Sequence, residues 1–449
     1  MAWLVLMASQ GLYLHSTRTP DFHVSLSEAV LRSLAPDGGL YMPDQVAQLS
    51  PEFWANWRSM SFAAMATEIA ATLFQGAVPR AALEKMCQDA LDFPVPLVEV
   101  SPNLRVLELF HGPTLAFKDF GARLMSRLMA YFAQSEGRGL TILAATSGDT
   151  GGAVASAFHN VAGTRVVILY PSGRVSPLQE KQLTTLGGNV TAIEVEGSFD
   201  DCQRMVKAAF MEPELTALCG LSSANSINIA RLVPQMFYYF EAARQLPEGQ
   251  LPTFVVPSGN FGNLTAGLFA VAMGLKAAHF VAATNANDTV PNYLAVGDYV
   301  PKPSVATLSN AMDVGAPSNF ERMLALHGHS HEAMCAQITG LVVDDATTHA
   351  TMDAVWTNHG YQLDPHTAVG WHAATTWLRT HPEAHPVVLA TAHPAKFLEV
   401  SEEIFGAGAV VVPERLARLA ELPKWAIRMP ADNAAFTAWL ATQAQTWAK

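Results

Sequence analysis

Residues 141–171 read TILAATSGDTGGAVASAFHNVAGTRVVILYP. The apolar run 141–146 predicts a short strand, SGDTGG (147–152) a turn, AVASAFHNVA (153–162) a helix and RVVILYP (165–171) a second strand. Two strands joined through a crossover helix must run parallel. Parallel strands are covered on both faces, so they read as continuous apolar runs without polar alternation.

The same grammar recurs outward from this unit. NVTAIEV (189–195) leads into SFDDCQRMVKAAF, where Ser198 and Asp201 fit a capping box. TFVVP (253–257) runs into SGNFGN (258–263) and then the helical pattern LTAGLFAVAMGL, while HFVAATN (279–285) and PVVLATAHP (386–394) are further strands ending in small-residue loops. The fold class is therefore α/β, with mostly parallel sheets flanked by helices. Toward the N-terminus, SLSEAVLRSL places apolar residues at 26, 30, 31 and 34, a helical spacing, and helical patterns continue to Leu91. The prolines of DFPVPLVEV and SPNL mark a boundary there. This predicts a largely helical N-terminal domain over 1–95 and a second region over 96–449.

Composition narrows the function. The chain has 449 residues, half of them apolar and 15% charged, as expected of a compact cytoplasmic enzyme with large cores. A formal net charge of −12 with no lysine or arginine run disfavours nucleic acid as a partner. Cys87, Cys202, Cys219 and Cys335 are too dispersed for a zinc knuckle or a disulfide framework. The apolar start MAWLVLMA lacks the basic residues that precede a signal sequence, and no apolar stretch reaches the ~18–20 residues of a membrane span. HGHSH (327–331) has no carboxylate or thiolate at metal-site spacing, so it reads as a polar loop and no metal is expected.

Ligands of open α/β sheets bind where strands end and helices begin. SGDTGG, SGNFGN and TAHPAK occupy such places. In SGNFGN, Gly259 and Gly262 let successive N–H groups curl around a dianion; by spacing alone an ordinary strand-to-helix turn fits as well. No GK[ST] occurs, and no strand is followed by GxGxxG, which removes support for nucleotide triphosphates and NAD. LFHGPTLAFKDFG (109–121) sets one lysine, Lys118, among phenylalanines. Burial lowers a lysine's pKa and frees its amine, and a phosphate cradle beside such an amine suits pyridoxal 5'-phosphate. A lysine snorkelling from the start of a helix is the plainer alternative.

HGPTLAFKDFG, ATSGDTG, SPLQEK, SANSINI, VPSGNFGN, AATNANDTVP, TLSNAMDV and TAHPAKF, in this order and spacing, resemble the longer bacterial and fungal threonine synthases from about Tyr13 to about residue 430. The resemblance implies two catalytic lobes of the tryptophan synthase β-like fold, the small lobe (about 122–235) inserted in the large one, behind an N-terminal domain. It implies conversion of O-phospho-L-homoserine and water to L-threonine and phosphate, by loss of phosphate from Cγ and addition of water at Cβ. Lys118 would hold the cofactor as a Schiff base and act as general base. Gly259, Asn260, Phe261 and Asn263 would form the phosphate cradle; the family often has aspartate where Asn263 stands, and asparagine is expected to cap the helix in its place.

Thr391 would face the pyridine nitrogen, where a hydroxyl leaves the ring a milder electron sink than a carboxylate would. Asp149 would neighbour the cofactor, although an anion is wrongly signed for a substrate carboxylate. Ser147, Gly148 and Thr150 would bind that carboxylate, and the candidates for the substrate phosphate are Ser176, Gln179, Lys181, Ser226, Asn228 and Arg231. The small-molecule substrate is the expected partner of a cytoplasmic monomer or homodimer. Two other readings stay open at this point: a phospho-lyase giving a keto product, and a catalytically silent binding protein.

Overall fold

The computed structural model describes residues 12–146 and 148–447. The apolar extension MAWLVLMA lies outside them. The chain divides into two compact units, one from Met1–Leu26, Leu34–Phe117 and Leu232–Val411, the other from Ser27–Ser33, Lys118–Arg231 and Val412–Lys449.

The first unit holds a six-stranded sheet in the order β12-β11-β10-β13-β5-β4, built from β4 (Leu97–Ser101), β5 (Leu104–Glu108), β10 (Pro252–Pro257), β11 (His279–Thr284), β12 (Ile338–Val342) and β13 (His385–Ala390). Only the β4–β5 pair is antiparallel. Val106, Val388, Val255 and Val281 are aligned across four strands and wholly buried. Branched side chains suit such a covered, pleated layer. The parallel strands all end at one edge, so the loops after Glu108, Pro257 and Ala390 leave it together. Helix Pro365–Thr380 covers this sheet, started by Asp364, whose carboxylate accepts the N–H groups of His366 and Thr367. A separate antiparallel sheet, β2-β1-β3, comprises β1 (Tyr13–Ser16), β2 (His23–Ser25) and β3 (Tyr41–Pro43). Its strands of three or four residues are too short to show alternation, so the N-terminal helical pattern concealed them.

The second unit is built on a fully parallel sheet, β14-β8-β7-β6-β9: β6 (Leu140–Ala145), β7 (Thr164–Pro171), β8 (Val190–Glu196), β9 (Leu221–Ser222) and β14 (Ile427–Pro430). The predicted unit of residues 141–171 is present, with one correction. The helix runs over Asp149–Phe158, four residues earlier than expected, because the glycine turn is itself helical. Thr146 Oγ1 accepts the N–H groups of Gly148 at 3.0 Å and Gly151 at 2.9 Å, which satisfies donors that open a helix. The capping box at Ser198 and Asp201 is formed in full. The C-terminal segment returns to this unit: Met429, Phe436 and Leu440 pack with Val167, Ile193 and Met205.

Candidate active site

SGNFGN leaves β10 at its carboxyl end and opens helix Gly262–Ala272. Phe261 stands before the helix at φ 59°, and its own side chain makes no capping bond. Asn263 Oδ1 accepts the first-turn N–H of Leu264 at 3.0 Å, as expected of a capping residue, and the side chain does more than cap. Its Nδ2 donates to Pro257 O (2.8 Å) and its Oδ1 accepts from Ser258 Oγ (2.8 Å), so the side chain ties the two ends of the loop together. Tyr239, wholly buried, donates its hydroxyl to Asn263 O at 2.7 Å. Asn260 Oδ1 accepts from Ser318 N (2.6 Å), and Asn260 O accepts from Asn319 Nδ2 (3.1 Å). A Cβ on Gly259 would lie 2.6 Å from Met312 Cα, a backbone atom that cannot step aside, so this position admits only glycine. With Leu264 N held by Asn263 Oδ1, an anion would be met by the N–H groups that precede it and by the helix dipole. The donor set fits the phosphate of pyridoxal phosphate.

A second segment of the first unit leads to Lys118. Leu115 is buried with φ 59°, which puts a bulky residue in the left-handed region. Of the seven non-glycine residues there among the described residues, five are Ser33, Gln75, Asn103, Asn160 and His329; the two hydrophobic ones, Leu115 and Phe261, both lie in expected cofactor segments. Strain of this kind, on the order of 1–3 kcal/mol per residue, persists only where the surroundings impose it. They do so here by lacing two loops: Phe117 N donates to Thr391 O (2.9 Å), His393 N to Leu115 O (3.1 Å), and Ala116 bridges Ala392. Thr391 is buried just past the end of β13. Lys118 follows Phe117 and begins helix Lys118–Ser135, half-buried ahead of the buried Asp119 and Phe120.

Sequence motifs alone did not single out Lys396. It lies in TAHPAKF, is 4% exposed, and donates Nζ to Thr114 O at 2.8 Å. A lysine in a small-residue loop after a buried strand was the available signal. Glu108 was also missed: at the end of β5 it meets His111 Nε2 (2.6 Å) and accepts from Tyr361 OH (2.7 Å). Burial alone would raise the carboxyl's pKa, but the bonds from His111 and Tyr361 prevail and hold it below its ordinary value. A depressed carboxyl stabilises the fold above its unfolded pKa, and that contribution is lost as pH falls through the folded one. Stability is therefore expected to drop on acidification below the ordinary glutamate range. Tyr361→Phe should cost about 1–3 kcal/mol at pH 7 and flatten that acid limb, in denaturant titrations across pH; an acid limb as steep as the parent's would show that the pair does not contribute it.

In the second unit, Gly148 and Asp149 are buried at the start of their helix and Thr150 is half-buried, whereas Ser147 lies outside the described residues. Asp149 Oδ1 accepts from Gln179 Nε2 at 2.9 Å, so its charge is directed to an amide of the SPLQEK helix. Ser176 caps that helix by accepting from Gln179 N. Lys181 Nζ donates to Leu422 O. Ser226 bonds Asn225 Oδ1 through its N–H (2.6 Å), and buried Asn228 donates to Val30 O (2.8 Å). Arg231 is buried, with Nη1 on Ala224 O at 2.7 Å; burial pulls its pKa down to about 10, which leaves it a cation at neutral pH. Gly148, Asp149, Ser176 and Gln179 thus form one group, while Lys181 serves the C-terminal segment.

Comparison with known proteins gives the family. The family described as pyridoxal-phosphate dependent enzyme matches residues 96–391, and the threonine synthase N terminus and C-terminal families match 13–91 and 367–439. Threonine synthase of Haemophilus influenzae is 44% identical over 95% of this chain and 99% of its own length. The chain belongs to the threonine synthase family. The crystal structure of threonine synthase from Escherichia coli superposes with a TM-score of 0.87 at 42% identity, covering 96% of this chain and 100% of that one. A threonine synthase from Brucella melitensis with pyridoxal phosphate bound gives 0.91 at 36% identity, covering 97% and 100%. As a member of this family the chain is a pyridoxal-phosphate-dependent lyase, in agreement with the donor set of SGNFGN. None of the helices among the described residues is long and apolar enough to cross a membrane.

Proposed function

We propose that the threonine synthase reaction, O-phospho-L-homoserine and water to L-threonine and phosphate, is carried in this chain by Lys118, with SGNFGN and Thr391 holding the cofactor. The observation that supports this most is the lacing of Phe117 to Thr391, which fixes the backbone one residue before Lys118 against the loop that follows β13. Pyridoxal phosphate, when bound, supplies the electron sink that makes protons beside the amino group removable. Lys118 would tether the cofactor and take the Cα proton with the same amine; a second proton leaves Cβ as phosphate departs from Cγ, Cγ is reprotonated, and water adds at Cβ. Gly259, Asn260, Phe261 and Asn263 hold the phosphate through backbone N–H groups. Thr391 offers the pyridine nitrogen a hydroxyl and no negative charge, which disfavours ring protonation and so favours elimination and replacement over transamination.

Arg231, a buried cation, is the best-suited partner for the substrate phosphate among the polar residues of SPLQEK and SANSINIAR. Gly148 and Thr150 suit the substrate carboxylate at a helix start. Asp149 has the wrong charge to bind it and acts through Gln179. We further place the protein in the cytoplasm, as a monomer or homodimer without nucleic-acid partners, with residues 1–95 as a separate N-terminal domain. The test is product analysis: phosphohomoserine should yield threonine and inorganic phosphate in equal amounts. Release of ammonia and a keto acid would replace this reading with the phospho-lyase one.

A further inference from the structure

Asn260 of the cradle is gripped by residues that no motif marked. Asn319 is wholly buried; its Nδ2 donates to Asn260 O at 3.1 Å, and its Oδ1 accepts from Arg322 Nη1 at 2.9 Å. Arg322, also wholly buried, donates Nε (3.2 Å) and Nη2 (3.0 Å) to Tyr41 O on β3 of the small N-terminal sheet. Burial lowers its pKa to about 9, so it is still a cation at neutral pH. On the adjacent residue, Glu321 accepts from Thr17 Oγ1 (2.9 Å) and pairs with Arg18 Nη2 (2.5 Å), so the small sheet and the two residues that follow β1 hold this short helix, Phe320–Leu326, at two consecutive positions. A planar guanidinium bonded to carbonyl and amide oxygens is a rigid spacer, and a lysine cannot reproduce its fork.

We infer that Asn319 and Arg322 are positioning residues that carry the placement of the N-terminal sheet to the cofactor's phosphate loop. The inference rests on SGNFGN being that loop. Asn319 aims the Asn260 carbonyl away from the cradle, which turns the following N–H groups toward the anion. The N-terminal sheet thereby takes part in cofactor binding through two buried side chains, without touching the cofactor.

Asn319→Asp tests this, because it keeps an oxygen for Arg322 and replaces the N–H that holds Asn260 O by an acceptor; it also adds a negative charge, for which Arg322→Lys, with no change of charge, is the control. Apoprotein is titrated with pyridoxal phosphate and, separately, with pyridoxal, reading the absorbance of the bound cofactor. The expected result is an affinity for pyridoxal phosphate about 10-fold weaker with that for pyridoxal unchanged, while the thermal midpoint of the apoprotein moves by no more than about 3 °C. Arg322→Lys should show the same selective loss, and it carries the test should the first variant fold poorly. Equal loss for both ligands, or for neither, would overturn the inference and leave Asn319 and Arg322 as packing residues. Gly259→Ala separates the premise from the inference. If Gly259→Ala erases the preference for the phosphorylated ligand and the other two variants keep it, the inference falls and the cradle stands; if all three keep it, both fall.

Discussion

Lys118→Ala is expected to lower threonine formation on the order of 10⁴-fold or more, because in the proposed assignment its one amine is both covalent tether and general base. The same experiment decides between two lysines of different character. Lys118 is half-buried at the start of a helix, one residue past the Phe117–Thr391 bond. Lys396 is more deeply buried, but its Nζ donates to Thr114 O, as an ammonium ion holding a loop would. Borohydride reduction of the yellow holoenzyme should fix the cofactor to a single peptide carrying Lys118. Label on Lys396 or Lys181 would overturn the assignment. In the expected case, Lys396→Met should retain the label on Lys118 and lose stability through the loss of the bond to the Thr114 carbonyl, at a cost of about 1–3 kcal/mol.

Arg231→Ala is expected to reduce kcat/KM for phosphohomoserine by about 10²-fold or more, since removing a buried cation leaves the substrate's phosphate desolvated and unpaired. The parent should already turn over homoserine very poorly, by roughly 10⁴-fold, because donors arranged for a phosphate stay unsatisfied when it is absent. Arg231→Ala should not worsen homoserine further. A neighbour of Arg231 provides an independent check. A Cβ on Gly121 would fall 2.6 Å from Arg231 O and 2.9 Å from its Cγ, so Gly121→Ala must displace the arginine although alanine favours the helix. It should reproduce the selective loss. A variant that melts earlier but keeps the phosphohomoserine kcat/KM within threefold would make Arg231 a structural cation only.

The strands around residues 141–171, the capping box at Ser198, and the glycine loop after β10 were legible from local pattern. Each depends on neighbours within a few residues: apolar runs, a reciprocal cap, glycines between strand and helix. Asn263 shows where that reasoning stopped. Its type suggested a helix cap, and its Oδ1 does accept Leu264 N, but the same side chain also closes the loop onto Pro257 and Ser258, which no local pattern showed. Asp149 likewise appeared wrongly charged until Gln179, thirty positions away, was placed 2.9 Å from it.

By itself, then, the sequence determined the α/β class, the parallel strand order within each local unit, and the candidacy of Lys118 and SGNFGN, because backbone periodicity and glycine conformation act over short separations. Only the tertiary structure decided which distant residues hold those segments. Glu108 with Tyr361, Lys396 with Thr114, and the path from Tyr41 through Arg322 and Asn319 to Asn260 join residues as far as 282 positions apart. Such pairings form because buried donors and acceptors must find partners wherever the packed chain brings them, and that requirement leaves no periodic trace along the sequence.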